Sequence, residues 1–195
     1  MKNIKDILYI HGYGSHGHTG EAMEKAFKEN YNINVYHPQF SPYYKEARSQ
    51  IDEFLKSHKV DLIIGTSLGG FMTLDTPGYF RIAVNPAFNP YEALKSIGVS
   101  VDIVNTYEIP SVSLPQDFIS KKIEVYGVFG GKDTVVDYKD EFSRIYNHNN
   151  MFFAPDMEHS MSDEDIEKYL FNVVEHVDKA ISDYKEFKLK NYGIF

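Results

Sequence analysis

The sequence predicts an α/β fold in which helices cover both faces of a mostly parallel sheet of about six strands. Short apolar runs rich in β-branched residues alternate with longer segments of helical periodicity along the whole chain. One run ends in Gly65-Thr66-Ser67-Leu68-Gly69, and this Gly-x-Ser-x-Gly pattern is typical of a sharp strand-to-helix turn. Ligands of such sheets bind beyond the carboxyl ends of the strands, so residues that follow strands are the functional candidates.

The predicted strands are short, apolar and bounded by turn-forming residues. They cover residues 7–10, 33–36, 62–64, 81–84, 123–129 and 151–153. The predicted helices carry apolar residues at helical spacing and cover 21–29, 43–58, 68–74, 91–97 and 137–147, with a last helix after residue 162. Thr19 is expected to cap the first helix, and Ser162 and Asp165 to form a capping box for the last. Pro77 is expected to end helix 68–74 early.

Composition limits the function classes. A single domain over residues 1–195 is expected, because a chain of this length buries a substantial core. The net charge of −8 and the lack of a basic patch argue against binding nucleic acid or an anionic membrane surface. The absence of cysteine excludes disulfides, thiolate metal sites and a cysteine nucleophile. We expect a cytoplasmic protein, since the apolar run 7–10 is too short for the core of a signal peptide.

The residues that could activate a serine follow two later strands. A serine hydroxyl is a weak nucleophile at neutral pH and needs a base, which in turn needs an orienting carboxylate. Asp133 comes soon after strand 123–129, and His159 follows strand 151–153. Asp133 is preferred to Asp137, which is expected to start the next helix. His159 is preferred to the other histidines, among them His58, His148 and His176, because only His159 directly precedes a capped helix after the last strand.

Five stretches of sequence occur in an order that is familiar from one superfamily. They are residues 9–15, 65–71, 85–87, 131–138 and 158–160. Together they resemble the α/β-hydrolases, and most closely the small bacterial YqiA-like esterases. Two departures concern the elbow helix, which Pro77 cuts short, and residues 98–121, which match only loosely.

The resemblance implies a role for each candidate. Ser67 would be the nucleophile, His159 the base and Asp133 the orienting acid, while the backbone N–H groups of Tyr13 and Leu68 would form the oxyanion hole. It also implies carboxylesterase or acyl-thioesterase activity on a small-molecule ester or thioester, without a cofactor. The alternative is a binding protein of the same fold with little turnover. The sequence leaves open whether the chain forms a homodimer.

The surroundings of the site are less determined by the sequence. Four apolar residues are candidates for substrate contacts because they are close in sequence to the site, although each suits the core equally well: Phe71, Phe88, Val135 and Met161. Residues 91–121 are expected to form a small insertion over the active site. His11, His16 and His18 suggest a metal site, but their spacing is not that of a helical ligand pair and we expect no metal. We expect His11 to shape its loop as a hydrogen-bond donor.

Overall fold

A computed structural model describes residues 1–15, 17–108 and 124–192. Its centre is a six-stranded sheet in the order β2-β1-β3-β4-β5-β6, in which every pair of neighbouring strands is parallel. The strands are β1 (Asp6–Ile10), β2 (Asn34–Tyr36), β3 (Leu62–Thr66), β4 (Phe80–Val84), β5 (Val125–Gly130) and β6 (Met151–Ala154). The predicted sheet of about six mostly parallel strands is confirmed.

Helices connect these strands. They are α1 (His18–Tyr31), α2 (Tyr44–Ser57), α3 (Leu68–Leu74), α4 (Pro90–Ser96), α5 (Val101–Val104) and α6 (Lys139–Ile145), with short 3₁₀ turns at Asn105–Tyr107 and His148–Asn150. The last helix, α7, begins with the turn Asp163–Asp165, passes through a π-helical segment Ile166–Leu170 and ends as Phe171–Tyr192. Within the described part of the chain, no helix has the length and apolarity needed to cross a bilayer.

The two faces of the sheet build two cores. Ile7 and Ile64 point to one face, where Met23 and Phe27 of α1 and the apolar side of α7 cover them. Ile63 points to the opposite face, where α2 and α3 pack. Because neighbouring strand residues face opposite ways and both faces are covered, the central strands are apolar throughout, as their sequences indicate.

Two helix starts test the capping predictions. The capping box between Ser162 and Asp165 is confirmed, with both reciprocal hydrogen bonds present. The prediction that Thr19 caps the first helix is wrong, because α1 begins earlier and Gly17 is its N-cap, with a φ of 90° and no side-chain cap. Gly17 adopts this left-handed conformation without steric cost. Thr19 lies inside the first turn and lines a cavity together with Tyr9.

The helix that follows Ser67 ends at Leu74, as the sequence predicts. Arg81 on β4 is fully buried and donates hydrogen bonds to the carbonyl oxygens of Thr73 and Leu74. A cation at a helix C-terminus also stabilises the helix dipole. The early stop therefore has a second support in addition to Pro77. Residues 109–121 of the expected insertion and the predicted strand start at Ile123 lie outside the described residues.

Candidate active site

Ser67 stands on a strained turn between β3 and α3. Its φ of 55° and ψ of −117° lie in a region that residues with side chains rarely occupy. A Cβ at Gly65 would lie 2.2 Å from the carbonyl oxygen of Gly69, and one at Gly69 would lie 2.0 Å from that of Ile10. These contacts confirm that both glycines are required sterically. Without a Cβ at Gly69, the N-terminus of α3 can lie close to the end of β1.

Ser67, His159 and Asp133 form one hydrogen-bonded series. The hydroxyl of Ser67 is 3.0 Å from Nε2 of His159, and Nδ1 of His159 is 2.9 Å from Oδ2 of Asp133. His159 lies in the loop after β6 and Asp133 in the loop after β5, so the carboxyl ends of three strands supply the three groups. The side chain of Asp133 is 3% exposed and that of His159 is 20% exposed.

Asp133 is held as a carboxylate. Burial alone would raise its pKa, but hydrogen bonds from His159 and from the backbone N–H groups of Val135 and Val136 hold the pKa below its usual value. Because the ionised carboxylate only accepts hydrogen bonds, Nδ1 of His159 carries a proton and donates a hydrogen bond to Asp133. In the neutral ring, Nε2 is then free to accept the proton of the Ser67 hydroxyl.

The competing acid and histidines lie elsewhere. Asp137 has a side chain that is 67% exposed and pairs with Lys139 at 3.1 Å, while Tyr138 is the N-cap of α6. His58 stacks on Phe54 with a centroid distance of 4.0 Å. His176 packs edge-on against aromatic rings of β5 and β6, and His148 belongs to a 3₁₀ turn. None of these four residues is hydrogen-bonded to Ser67 or His159 among the described contacts.

Asn85 holds the two loops of the site together, and the sequence did not assign it a role. Its side-chain N–H groups donate to the carbonyl oxygens of Glu158 (2.9 Å) and His159 (3.1 Å), while its Oδ1 accepts from the N–H of Gly130 (2.8 Å). Asn85 is 2% exposed and has a φ of 43°. An Asn-Pro pair directly after a buried strand was the available signal, since asparagine tolerates the left-handed region.

The loop after β1 runs against Ser67. A Cβ at Gly12 would lie 3.3 Å from Cβ of Ser67 and 3.9 Å from its hydroxyl oxygen. Nε2 of His11 accepts a hydrogen bond from the N–H of Phe40 at 3.4 Å, so the ring proton is on Nδ1. Nδ1 then donates a hydrogen bond to the carbonyl oxygen of Gly12 at 2.9 Å. This matches the expected loop-shaping role of His11. Tyr13, next in this loop, is 37% exposed.

Two cavities lie at this loop. One, of about 200 Å³, is lined by Ser67, His159 and Met161 among others. The second, of about 290 Å³, borders Leu68 and extends between the loop and α2. Tyr13 lines both cavities. A larger cavity of about 500 Å³ opens near Glu124 at the opposite end of the sheet, and none of Ser67, Asp133 and His159 lines it.

The four candidate contact residues separate in the structure. Met161 lines the cavity of Ser67 and is 5% exposed. Phe71 packs against Tyr44 and Tyr107, and Phe88 packs with the aromatic rings of α6, so both are core residues. Val135 is 45% exposed, and its backbone N–H donates a hydrogen bond to Asp133. In the described part of the chain, these last three residues line neither of the two cavities.

Metal ligation has no support from the described residues. They contain no group of three or more histidine, aspartate or glutamate side chains arranged to hold a metal ion. His16, one member of the histidine set discussed above, lies outside the described residues, so that alternative is not tested.

A family model covers most of the sequence. The description "Uncharacterised protein family (UPF0227)" belongs to the model that matches residues 6–178. The chain belongs to the UPF0227 family. The match includes every member of the Ser67, Asp133 and His159 series. No curated protein sequence matches this UPF0227 chain significantly.

Solved structures show that this UPF0227 chain has the α/β-hydrolase fold. A marine microorganism esterase superimposes with a TM-score of 0.61 at 14% identity, covering 89% of this chain and 95% of that one. A putative hydrolase of the alpha/beta superfamily from Xanthomonas campestris pv. campestris gives 0.51 at 13% identity, covering 95% and 99%. The thioesterase domain from the curacin biosynthetic pathway gives 0.53 at 11% identity, covering 93% and 90%. At these identities the likeness establishes the fold.

Proposed function

We propose that this protein is a serine hydrolase that cleaves carboxylic esters or thioesters through an acyl-enzyme on Ser67. The observation that carries the proposal is the series Ser67–His159–Asp133, with hydrogen bonds of 3.0 and 2.9 Å on a strained elbow. Solved structures of the same fold include an esterase and a thioesterase domain, which supports the reaction class.

The chemistry proceeds in two halves. His159 accepts the proton of Ser67 through Nε2 as the oxygen attacks the substrate carbonyl, and Asp133 stabilises the imidazolium that forms. The tetrahedral intermediate collapses when His159 gives the proton to the departing alcohol or thiol, which leaves an acyl-enzyme. Water then attacks the acyl group with His159 again as base, and the acid is released with Ser67 restored.

We expect the backbone N–H groups of Leu68 and Tyr13 to bind the oxyanion. Leu68 is the first residue of α3, and the first N–H groups of a helix have no partner within it. Tyr13 follows Gly12, whose close approach brings its loop against Ser67. Each such donor contributes about 3–4 kcal/mol to lowering the barrier, because it meets charge that develops only in the transition state.

The test compares ester hydrolysis by variants of two serines. With p-nitrophenyl butanoate and butanoyl-CoA as substrates, Ser67→Ala should lose activity by a factor on the order of 10⁴ or more. Ser57→Ala is the matched control, since Ser57 is exposed at the end of α2 and makes only local hydrogen bonds. Turnover by Ser67→Ala at the parent rate would reject the proposal. A folded parent protein without turnover of any ester or thioester would favour the binding-protein alternative.

A further inference from the structure

The two cavities at the Gly12 loop differ in chemistry. We call the cavity that contains Ser67 and His159 the hydroxyl cavity, because Tyr9, Thr19 and Thr66 line it. We call the other the apolar cavity; its walls include Phe40, Ala47, Ile51, Met72 and Tyr107. Residues 12–15 line both, so the two spaces adjoin at the loop that carries one proposed oxyanion donor.

The hydroxyl cavity is polar but uncharged. Its volume is about 200 Å³, and the hydroxyl groups of Tyr9 and Thr66 are hydrogen-bonded to each other at its wall. None of the described residues that line either cavity is lysine, arginine, aspartate or glutamate. Hydroxyl groups both donate and accept hydrogen bonds, so such a wall suits a neutral partner that carries hydroxyl groups of its own.

The apolar cavity is built from core residues. Ala47 and Ile51 of α2 are 2% and 0% exposed, and Met72 of α3 and Tyr107 are 3% exposed. Its volume is about 290 Å³, enough for roughly ten groups of the size of a water molecule. Burying each methylene of a hydrocarbon chain there is worth about 0.8 kcal/mol.

The position of His159 decides which part of an ester enters which cavity. The departing alcohol takes its proton from His159, so it must lie on the side of that ring. His159 lines the hydroxyl cavity and not the apolar one, whereas Leu68, beside the nucleophile, lines the apolar cavity. With the carbonyl oxygen on the N–H groups of Tyr13 and Leu68, the acyl chain extends past Leu68.

We propose that the enzyme hydrolyses medium-chain acyl esters of small hydroxylated alcohols. The acyl chain, of up to about ten carbons, occupies the apolar cavity, and the alcohol occupies the hydroxyl cavity. Ala47 and Ile51 limit the chain length, and Tyr9 and Thr66 select the alcohol. This inference rests on the proposed serine hydrolase function and specifies its substrate class.

Chain length is tested with a series of monoacylglycerols from acetyl to dodecanoyl. The parent enzyme should give its highest kcat/KM near octanoyl, and Ala47→Leu should lower the ratio of octanoyl to acetyl hydrolysis by about tenfold, because it fills the cavity. Ala22→Leu on α1 is the matched control, since Ala22 packs against the other face of the sheet and should keep the parent ratio. If Ala47→Leu does not fold, the smaller change Ala47→Val replaces it.

The alcohol is tested with glyceryl and ethyl esters of octanoic acid. The parent should prefer the glyceryl ester, and Tyr9→Phe should lower the ratio of glyceryl to ethyl hydrolysis by about tenfold. Hydrolysis with no preference for octanoyl over acetyl, or an Ala47→Leu ratio equal to that of Ala22→Leu, would overturn the placement of the acyl chain. A parent preference for the ethyl ester would overturn the placement of the alcohol.

These failures are separable from failure of the proposed function. If the parent hydrolyses the esters and Ser67→Ala does not, while the ratios stay constant among the variants, the serine hydrolase stands and only the substrate class is wrong. If the folded parent hydrolyses no ester in either series and turns over neither p-nitrophenyl butanoate nor butanoyl-CoA, the proposed function itself fails.

Discussion

Replacing Asn85 by glycine removes the side chain that connects the loops of His159 and Asp133. The change keeps the backbone conformation accessible, because glycine adopts a φ of 43° without steric cost. It deletes the hydrogen bonds to the carbonyl oxygens of Glu158 and His159 and from the N–H of Gly130. The perturbation therefore tests the side-chain bridge itself.

The expected loss of stability follows from these three bonds. Each intramolecular hydrogen bond contributes about 1 kcal/mol net, so Asn85→Gly should cost about 3 kcal/mol. For a chain of this length, that lowers the unfolding midpoint by about 6–12 °C. The loop that carries His159 also loses its anchor, and kcat should fall on the order of tenfold with KM little changed.

Thermal unfolding and steady-state hydrolysis of p-nitrophenyl butanoate measure both effects. Asn32→Gly is the matched control, because Asn32 also has a positive φ, of 53°, and its side chain is exposed. Both variants gain the same chain entropy in the unfolded state, so their difference isolates the bridge. Equal unfolding midpoints for the two variants, or an unchanged kcat in Asn85→Gly, would refute the reasoning.

Three further predictions concern other residues. Asp133→Asn should lower kcat by a factor on the order of 10⁴, because an amide does not stabilise the imidazolium, while Asp137→Asn should stay within about twofold in the same assay; the reverse order would exchange their roles. Gly69→Ala should lose about 3 kcal/mol or more in thermal unfolding, since its Cβ would lie 2.0 Å from the carbonyl oxygen of Ile10, and parent-like stability would contradict that contact. Burial alone would raise the pKa of Asp178, but three backbone N–H groups near the start of the chain hold it below the usual value. Its stabilisation is therefore present above about pH 4 and lost as the pH falls through the folded-state pKa, so Asp178→Asn should weaken the acid dependence of unfolding, and identical acid dependence would contradict this.

Features with local signals were predictable from the sequence. The elbow at Ser67 is encoded by glycines within two positions of the serine, and the capping box by Ser162 and Asp165. The candidate acid and base were predictable from their positions after strands, because the carboxyl ends of parallel strands meet at one edge. In the structure, Asp133 and His159 are hydrogen-bonded to each other, as their positions after the strands indicate.

Features that depend on distant contacts were not predictable in the same way. Phe88 is close in sequence to the site, yet it packs on Phe142 of α6 in the core. Thr19 has the chemistry of a cap, but the helix begins before it, with Gly17 as the N-cap. The bridge made by Asn85 exists only because loops far apart in sequence fold against it.

The most direct test of the central claim is the site of reaction with a fluorophosphonate probe, located by peptide mass spectrometry. Such a probe forms a covalent adduct only with a serine that a neighbouring base activates. We predict one adduct, on Ser67, that is lost in Ser67→Ala and forms far more slowly in His159→Ala. A folded protein that gives no adduct, or an adduct on a different serine, would contradict the assignment of Ser67 as the nucleophile.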